Sequence, residues 1–280
     1  MITPLVSVIV PTYNRIDKCK RAVESVINQT FKDFEIIVVD DCSTDGTCAK
    51  YLYGSRIGQT YRYYRNSINS GISKARNTGI SLSRGKWISF LDSDDEWLPD
   101  KLEKQIQWTY ENPQYHIVQT REIWIRNGVR VNPPRSHEKK AGDIFGESLK
   151  RCMITPSSVM IKKSLLEHVG FFNESLPVCE DYDLWLRISH RYPVGLVDEY
   201  LLKRYGGHKD QLSSSIAVLD KYRIRALLQL LTYEHLTTAQ KILTKSILVK
   251  KAAIVAKGLE KIDRIPEYER YRKIADKYKC

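Results

Sequence analysis

The 280-residue sequence lacks any apolar run that approaches the roughly 18 residues needed to cross a bilayer. Residues 1–4 lack a basic region followed by an apolar one, so we expect no secretory signal. The six cysteines form no CxxC pair and show no metal-finger spacing. These absences predict a cytoplasmic protein with reduced thiols, rather than a membrane-spanning, secreted or zinc-finger protein.

The sequence also lacks a GxGxxG motif after its first predicted strand, at residues 5–10. That absence disfavours a dinucleotide-binding protein of the Rossmann fingerprint type. The composition is otherwise ordinary for a globular protein, with 42% hydrophobic and 28% charged residues. A chain of this length is long enough for one large α/β domain with a smaller appendage.

Basic residues exceed acidic ones, and the net charge is +12. Residues 216–280 hold 15 Lys and Arg against 7 Asp and Glu, and their pattern predicts three helices. Such a segment suits nucleic acid, anionic lipid or an acidic substrate. It is equally compatible with a solvated helical face, or with helices that pack on the rest of the chain or on a second copy of it.

Strands alternate with helices across residues 5–112. The predicted strands are 5–10, 34–39, 61–65 and 87–91. The predicted helices end near residues 29, 53 and 83, and a fourth begins near Pro99. Alternation at this short spacing predicts a parallel sheet built from βαβ units.

The strand at residues 87–91 ends abruptly at three carboxylates, Asp92, Asp94 and Asp95. In open α/β sheets, ligands bind just beyond the carboxyl ends of such buried strands. Carboxylates about 4 Å apart repel by roughly 4 kcal/mol at an effective dielectric near 20, and Mg²⁺ or Mn²⁺ would remove that repulsion. We interpret the cluster as a metal-diphosphate site. The alternative is a solvated loop in which Asp95 caps the helix near Pro99.

Two further strand ends carry polar residues, namely residues 11–14 after the first strand and Asp40 and Asp41 after the second. In a doubly wound sheet these ends lie beside the acidic cluster, where they would form a nucleotide pocket. We expect Tyr13 beside the base, Asp41 accepting from ring or ribose donors, and Arg76 near phosphate. Taken alone, Asp40 or Asp41 is equally compatible with capping the following helix.

A second acidic group, Glu180, Asp181 and Asp183, lies in the first turn of a helix predicted over residues 180–188. The positive end of the helix dipole favours their charged form. An ionised carboxylate is what a general base needs in order to deprotonate a hydroxyl. The group is equally compatible with a purely structural role at the helix dipole.

The pattern changes after residue 112. We expect a hairpin over residues 122–131, a surface loop over 132–142, and strands over 155–161 and 194–202. His208 follows the last of these strands in a glycine-flanked loop. A neutral imidazole there is able to approach a metal, although a lone histidine is more often structural or solvated.

Five motifs occur together in this order: VSVIVPTYNR at 6–15, VVDDCSTDGT at 38–47, ARNTG at 75–79, DSDD at 92–95, and ED at 180–181. The ensemble resembles the family 2 glycosyltransferases of GT-A fold, over residues 5–213. The resemblance implies an α/β fold, Rossmann-like, with a mostly parallel central sheet flanked by helices and a C-terminal helical extension. It implies a catalytic domain over residues 1–215, divided into a nucleotide-binding half (1–112) and an acceptor half (113–215), and a basic extension over 216–280.

The resemblance also implies an inverting transfer of a hexosyl or N-acetylhexosaminyl group from a nucleotide-diphospho-sugar, with a UDP-sugar as the first expectation. The implied donor-binding residues are Pro11, Thr12, Tyr13, Asp41, Arg76, Asp92 and Ser93, supported by Asp40. Mn²⁺ or Mg²⁺ would be held by Asp94, with Asp92 and His208 as further contacts. Asp181 matches the base that deprotonates the acceptor hydroxyl.

The implied setting is bacterial cell-surface polysaccharide or glycoconjugate synthesis, with a glycan or lipid-linked acceptor. We expect a cytoplasmic location, with peripheral contact at the inner face of an anionic membrane or homo-oligomerisation through the C-terminal helices as further expectations. One alternative is a sugar-phosphate nucleotidyltransferase, but such enzymes usually carry a glycine-rich basic loop where residues 11–14 stand here. Another is a non-catalytic nucleotide- or nucleic-acid-binding module. Because such a module needs no carboxylates at three strand ends, no nucleic acid partner is expected.

Overall fold

In the computed structural model of the chain, residues 3–47, 61–207 and 218–279 are described. Within them, nine strands belong to one sheet: β1 (Val6–Thr12), β2 (Phe34–Asp40), β3 (Tyr61–Arg65), β4 (Trp87–Phe90), β5 (Glu96–Trp97), β6 (Ile117–Arg126), β7 (Val129–Val131), β8 (Met160–Lys162) and β9 (Gly195–Gly206). The strand order is β3-β2-β1-β4-β8-β6-β9-β5, and β7 pairs with β6. The α/β class inferred from the sequence is confirmed.

Helices cover both faces and one end of this sheet. Those described are α1 (Ile16–Ile27), α2 (Ile72–Leu82), α3 (Lys101–Glu111), α4 (Phe145–Lys150), α5 (Lys163–Val169), α6 (Glu180–Ser189), α7 (Asp220–Tyr233), α8 (Thr238–Glu260) and α9 (Ile265–Lys277). The helix predicted to end near residue 53 lies outside the described residues. The C-terminal helices expected from the sequence are present as α7, α8 and α9.

The first half of the sheet is parallel, as the sequence predicts. β1 pairs in parallel with both β2 and β4, and β2 with β3. All seven residues of β1 are buried, which is typical of a strand that is covered on both faces. The register places Thr12 beside Asp40 and Ile9 beside Phe90, so the strand ends that carry polar residues lie side by side.

The second half of the sheet is mixed, so the expected parallel order does not extend through it. β8 runs antiparallel to β4 and to β6, while β6 and β9 are parallel. β6 turns into β7 through Asn127 and Gly128, whose φ angles of 49° and 79° suit a two-residue hairpin, as predicted. The strand predicted at residues 155–161 is shorter than expected, because Pro156–Ser158 forms a 3-10 turn and β8 begins only at Met160.

The basic extension packs on α4 and α6. Apolar residues of α7, α8 and α9 form one buried cluster with residues of α4 and α6, among them Leu149, Tyr182, Leu186, Leu227 and Leu248. Burial of large apolar side chains of this kind stabilises the contact by roughly 1.5–3 kcal/mol each. The extension therefore shares a core with the helix that carries Asp181.

Candidate active site

One cavity of about 1020 Å³ opens at the aligned ends of β1 and β4. Its wall is completed by the N-terminal ends of α2 and α6 and by the end of β9. The residues predicted from the sequence that border it are Pro11, Thr12, Tyr13, Asp41, Arg76, Asp92, Ser93, Asp94 and Asp181. The fold thus brings Asp41, Asp94 and Asp181 around the same space. His208 lies outside the described residues.

Asp40 does not border the cavity. Its side chain is fully buried at the end of β2, where Oδ1 accepts from the Ser43 N–H at 2.8 Å and Oδ2 accepts from the Tyr63 hydroxyl. The carboxylate therefore has no surface to offer a nucleotide. Its assignment as a donor-binding residue is corrected to a structural one, which is to hold the turn that follows β2.

Asp41 borders the cavity, but its carboxylate already accepts several hydrogen bonds from within the protein. Its carboxylate accepts from the backbone N–H of Gly71 at 2.7 Å, from that of Ser70 at about 3.0 Å and from Asn66 Nδ2 at 2.7 Å. These donors lie in the loop that leads into α2. Asp41 therefore orders the start of α2, and part of its acceptor capacity remains. The helix that it was alternatively expected to cap lies outside the described residues.

The acidic turn after β4 is fixed by basic side chains. Asp92 Oδ1 accepts from Arg76 Nη2 at 2.7 Å, and Asp94 Oδ2 accepts from Arg15 Nη1 at 3.1 Å. Arg21 donates to the Asp94 carbonyl at 2.6 Å. These cations offset the mutual repulsion of the carboxylates that the sequence predicts.

Asp95 has a different environment from its two neighbours. It is 3% exposed, accepts from Ser157 Oγ at 2.6 Å and from the Tyr205 N–H at 3.0 Å, and so joins β4 to β9. Burial, together with the charges of Asp94 and Asp92, raises the pKa of Asp95 well above its usual value. The alternative of Asp95 as a helix cap is wrong, because α3 begins only at Lys101.

Arg76 joins the two acidic groups. Its guanidinium is 3% exposed, and it donates to Asp92 through Nη2 and to Glu180 through Nη1. Burial and the charge of Asp181 raise the pKa of Glu180 to about 7, although the charge of Arg76 opposes that shift. Arg76 therefore ties the end of β4 to the start of α6, and its charge is shared between two carboxylates before any phosphate arrives.

Asp181 presents its carboxylate to the cavity from the first turn of α6. Its Oδ1 accepts from the Tyr182 N–H at 2.7 Å. Glu180 is turned towards Arg76, and Asp183 is buried in a pair with Arg187 at 2.9 Å. Of the three carboxylates in this turn, Asp181 is the one whose geometry suits a proton acceptor.

The comparisons with known proteins agree with this geometry. Residues 7–170, more than half of the chain, match Glycosyl transferase family 2. The chain belongs to glycosyltransferase family 2. The putative teichuronic acid biosynthesis glycosyltransferase TuaG of Bacillus subtilis (strain 168) is 44% identical over 189 residues, which are 66% of this chain and 72% of that protein.

Further relatives extend the comparison. The UDP-Glc:alpha-D-GlcNAc-diphosphoundecaprenol beta-1,3-glucosyltransferase WfaP of Escherichia coli is 35% identical over 212 residues, covering 70% of this chain and 76% of that protein. Among solved structures, S. aureus TarS 1-349 in complex with UDP-GlcNAc superposes with a TM-score of 0.73 at 19% identity. The superposition covers 98% of this chain and 91% of that one. At this level of identity the structural match shows the GT-A fold.

In the acidic turn of this glycosyltransferase, Asp92 and Asp94 are the candidates for holding a divalent ion. Asp92 and Asp94 border the cavity with side chains 27% and 14% exposed. Within residues 3–47, 61–207 and 218–279, no group of three or more His, Cys, Asp or Glu side chains has the arrangement of a metal site. An ion held by one or two carboxylates keeps positions for water and phosphate oxygens, as Mg²⁺ does in nucleotide sites.

Three residues that the sequence did not single out meet beside the cavity: Glu122, Lys139 and Arg204. Glu122 Oε1 accepts from Arg204 Nη1 at 3.2 Å, and its Oε2 lies 3.5 Å from Lys139 Nζ. Burial raises the pKa of Glu122, but the charges of Lys139 and Arg204 outweigh it and bring the pKa to about 2. Lys139 is 7% exposed, so the surface loop predicted over residues 132–142 is wrong at this position.

Glu122→Gln is expected to lower the free energy of unfolding at pH 7 by about 3 kcal/mol, because Lys139 and Arg204 lose their shared counter-charge. The depressed pKa of Glu122 contributes stability that is present above the unfolded value of 4.5 and is lost as the pH falls towards about 2. Urea unfolding at pH 7 and at pH 3 should therefore show a smaller difference between variant and wild type at pH 3.

The matched control for this prediction is Glu138→Gln. Glu138 is exposed and lies 3.7 Å from Arg121, so its loss should cost under about 1 kcal/mol. Equal urea midpoints for wild type and the Glu122 variant at pH 7 would contradict the prediction.

Proposed function

We propose that the protein transfers a sugar, with inversion, from a nucleotide-diphospho-sugar to an acceptor hydroxyl. The observation that carries this proposal is that Asp41, Asp94 and Asp181, from three separate segments, border one cavity. A displacement at an anomeric carbon requires a nucleotide-binding region and a basic carboxylate that face the same cavity from different elements of the fold. The names of WfaP and TuaG support a UDP-sugar donor and a role in bacterial polysaccharide synthesis.

In the proposed reaction, Asp181 accepts the proton of the acceptor hydroxyl as that oxygen forms its bond to the anomeric carbon. The bond from that carbon to the diphosphate oxygen breaks on the opposite face, and the electron pair leaves with the nucleoside diphosphate. Asp181 ends the step protonated and returns its proton to solvent. General-base assistance of this kind contributes roughly 10²–10⁴-fold to the rate.

The nucleotide would lie against the ends of β1 and β2. Tyr13 is 45% exposed at the rim, which suits stacking on a base, and Pro11, Thr12 and Asp41 lie beside it along the cavity. The remaining acceptor capacity of Asp41 would receive a ring or ribose donor. We propose that Ser93 and Asp92 contact the sugar or ribose on the other side.

Asp94, with Asp92, would hold Mn²⁺ or Mg²⁺, and His208 is proposed as a further contact. The bound ion would offset the negative charge that grows on the departing diphosphate. The mannosyltransferase PcManGT of Pyrobaculum calidifontis, solved in complex with GDP-Man and Mn2+, has the same fold with a TM-score of 0.65 at 17% identity. That structure supports the proposal of a divalent metal in this one.

Asp94→Asn is expected to weaken binding of a UDP-sugar in the presence of Mn²⁺ by at least roughly tenfold. The amide preserves the shape of the side chain but removes the charge that an ion needs. Calorimetric titration with and without Mn²⁺ measures the effect. Asp100→Asn changes a partly exposed carboxylate that pairs with Lys104 at 2.8 Å, and this control should bind as wild type does. Metal-dependent affinity that survives in the Asp94 variant would refute this ligand assignment.

The donor is identified by incubating the protein with UDP-, GDP- and dTDP-linked hexoses and N-acetylhexosamines, with Mn²⁺ and with Mg²⁺. We expect nucleoside diphosphate release and a rise in Tm with UDP-sugars. If a folded protein releases nucleoside diphosphate from none of these donors, the proposed function is overturned. The stereochemistry of the product, read by NMR, tests inversion separately.

We also propose that the outward face of α8 contacts an anionic membrane, where a lipid-linked acceptor would be presented. Ile242, Leu243 and Ile254 are exposed on this helix, as are Lys250 and Lys257. The helix carries no acidic residue before Glu260. Such a face suits anionic headgroups, which contribute about 1 kcal/mol per basic residue. Within residues 3–47, 61–207 and 218–279, no helix is long and apolar enough to cross a bilayer.

The double variant Lys250→Glu/Lys257→Glu is expected to bind phosphatidylglycerol vesicles at least roughly tenfold more weakly than wild type. Co-sedimentation with phosphatidylglycerol and with phosphatidylcholine vesicles measures this. Lys32→Glu/Lys86→Glu, on exposed lysines away from the extension, makes the same change of charge as a control. If both double variants partition equally onto the vesicles, the lipid contact is refuted. If the wild type is a dimer in sedimentation and the Lys250/Lys257 variant is not, the face is assigned to self-association.

A further inference from the structure

The thiol of Cys152 lies against the carboxylate proposed as the base. Cys152 follows α4 and borders the cavity, and its Sγ is 3.3 Å from Asp181 Oδ2. The Ile154 carbonyl is also within reach, at 3.2 Å. The thiol has a single S–H proton to donate. It favours the Asp181 carboxylate over the Ile154 carbonyl, because hydrogen bonds to ionised groups are roughly twice as strong as neutral ones.

The thiol is held in its donor form. Burial, followed by the charge and hydrogen bond of Asp181, raises the pKa of Cys152 well above its usual value. The side chain therefore remains S–H at working pH and carries no charge that would repel Asp181. It is consequently a hydrogen-bond donor and not a nucleophile.

We propose that Cys152 is a positioning residue for Asp181, holding Oδ2 while the Tyr182 N–H holds Oδ1. This inference rests on the proposed function, in which Asp181 is the base. With one donor on each oxygen, the carboxylate is fixed in one orientation, and each oxygen keeps a lone pair for the acceptor hydroxyl. Because S–H is a weak donor, its main effect is to orient the carboxylate.

Several other charged and titratable groups face this pair. Arg76 and Glu180 act on Asp181 from α2 and from its own turn, and Lys139 and Arg204 act on Cys152. On the side of the C-terminal helices the groups are Cys179, Asp220 and Arg223. None of these charges changes when Cys152 is replaced by Ala or Ser, so a shift in pH dependence would report the thiol contact itself.

The chain offers a matched control in Cys179. Its thiol also borders the cavity, two residues before Asp181 in sequence, but the acceptor of Cys179 Sγ is the Leu219 carbonyl at 3.8 Å, not the carboxylate. Cys179→Ser therefore makes the same chemical change without touching the base. We expect it to leave kcat and its pH profile unchanged.

The test is the pH dependence of kcat for wild type, Cys152→Ala, Cys152→Ser and Cys179→Ser, using the donor identified above. We expect Cys152→Ala to lower kcat by roughly tenfold, with the donor KM unchanged, and to move the acidic limb of the profile upward by about half a unit. Cys152→Ser keeps a donor in place and strengthens it, so kcat should stay within about threefold of wild type while the limb moves downward. Shifts in opposite directions are not expected from a purely structural role.

The outcomes separate this inference from the proposed function. If Asp181→Asn is inactive and both Cys152 variants keep the wild-type profile, Asp181 remains the base and the role of Cys152 is wrong. If Asp181→Asn retains turnover, the assignment of the base fails, and this inference fails with it. Should Cys152→Ala not fold, the Ser variant decides alone, since an unmoved acidic limb in that variant overturns the inference.

Discussion

Asp181→Asn is expected to lower kcat for sugar transfer by about 10³-fold while leaving donor affinity nearly intact. The amide has the shape of the carboxylate, and its oxygen still accepts from the Tyr182 N–H, but it cannot take a proton from the acceptor. The proposed site for the nucleotide lies on other elements, at the ends of β1, β2 and β4. Initial rates at saturating acceptor, together with calorimetric titration of the donor, separate the two effects.

Glu174→Gln is the control for this experiment. Glu174 is a carboxylate that borders the same cavity, and it pairs with Lys74 at the surface at 3.4 Å. Its substitution removes the same charge from the same cavity, so kcat should stay within about threefold of wild type. Turnover by the Asp181 variant at the level of the Glu174 variant would remove Asp181 from the mechanism.

Arg76→Met is expected to lower the free energy of unfolding by about 3–5 kcal/mol. The variant preserves the apolar stem of the side chain but leaves the buried Glu180 and the partly exposed Asp92 without their shared cation. Removing one partner from such a network leaves uncompensated charge, which costs more than the pair contributed. Chemical denaturation followed by circular dichroism measures the difference.

The loss of folding stability caused by Arg76→Met is expected to change with pH in a defined direction. A carboxyl whose pKa is raised in the folded state takes up protons on folding, so its contribution to stability falls as the pH rises through that range. For Glu180 the range runs from 4.5 to about 7, and it extends further upward once the opposing charge of Arg76 is gone. The loss of stability in Arg76→Met should therefore be larger at pH 8 than at pH 5.

Lys74→Met provides the comparison on the same helix. Lys74 is exposed on α2 and pairs with the exposed Glu174, so its loss should cost no more than about 1 kcal/mol. Adding Glu180→Gln to Arg76→Met should recover part of the stability, because it removes one of the two stranded charges. Equal unfolding free energies for Arg76→Met and Lys74→Met would contradict the bridging role of Arg76.

The acidic site could be anticipated because its signals are local. A continuous apolar run that stops at carboxylates, as at Asp92, and an acidic first turn of an apolar helix, as at Asp181, are properties of single segments. Parallel order in the first half of the sheet follows from the short βαβ spacing. Together these place three strand ends at one edge, where the cavity lies.

The direction and partners of individual side chains could not be anticipated in this way. Asp40 and Asp41 are neighbours with the same chemistry, yet Asp40 is turned into the fold and Asp41 towards the cavity. Successive residues at the end of a strand point to opposite faces, and sequence alone does not say which face is open. The sequence groups Asp95 with its neighbours in one acidic cluster, whereas its hydrogen bonds to Ser157 and Tyr205 make it a link between strands.

Apolar periodicity and capping chemistry act over a few residues, so they encode the alternation of strands and helices, the acidic ends of those strands and the helix that begins at Glu180. Which side chains meet across the fold depends on the tertiary structure. Glu122 and Arg204 are 82 positions apart, and Cys152 and Asp181 are 29 apart. The first pair exists because β6 and β9 are neighbouring parallel strands, and the second because α4, which Cys152 follows, packs in one core with α6. No local pattern encodes contacts made across a sheet order of that kind.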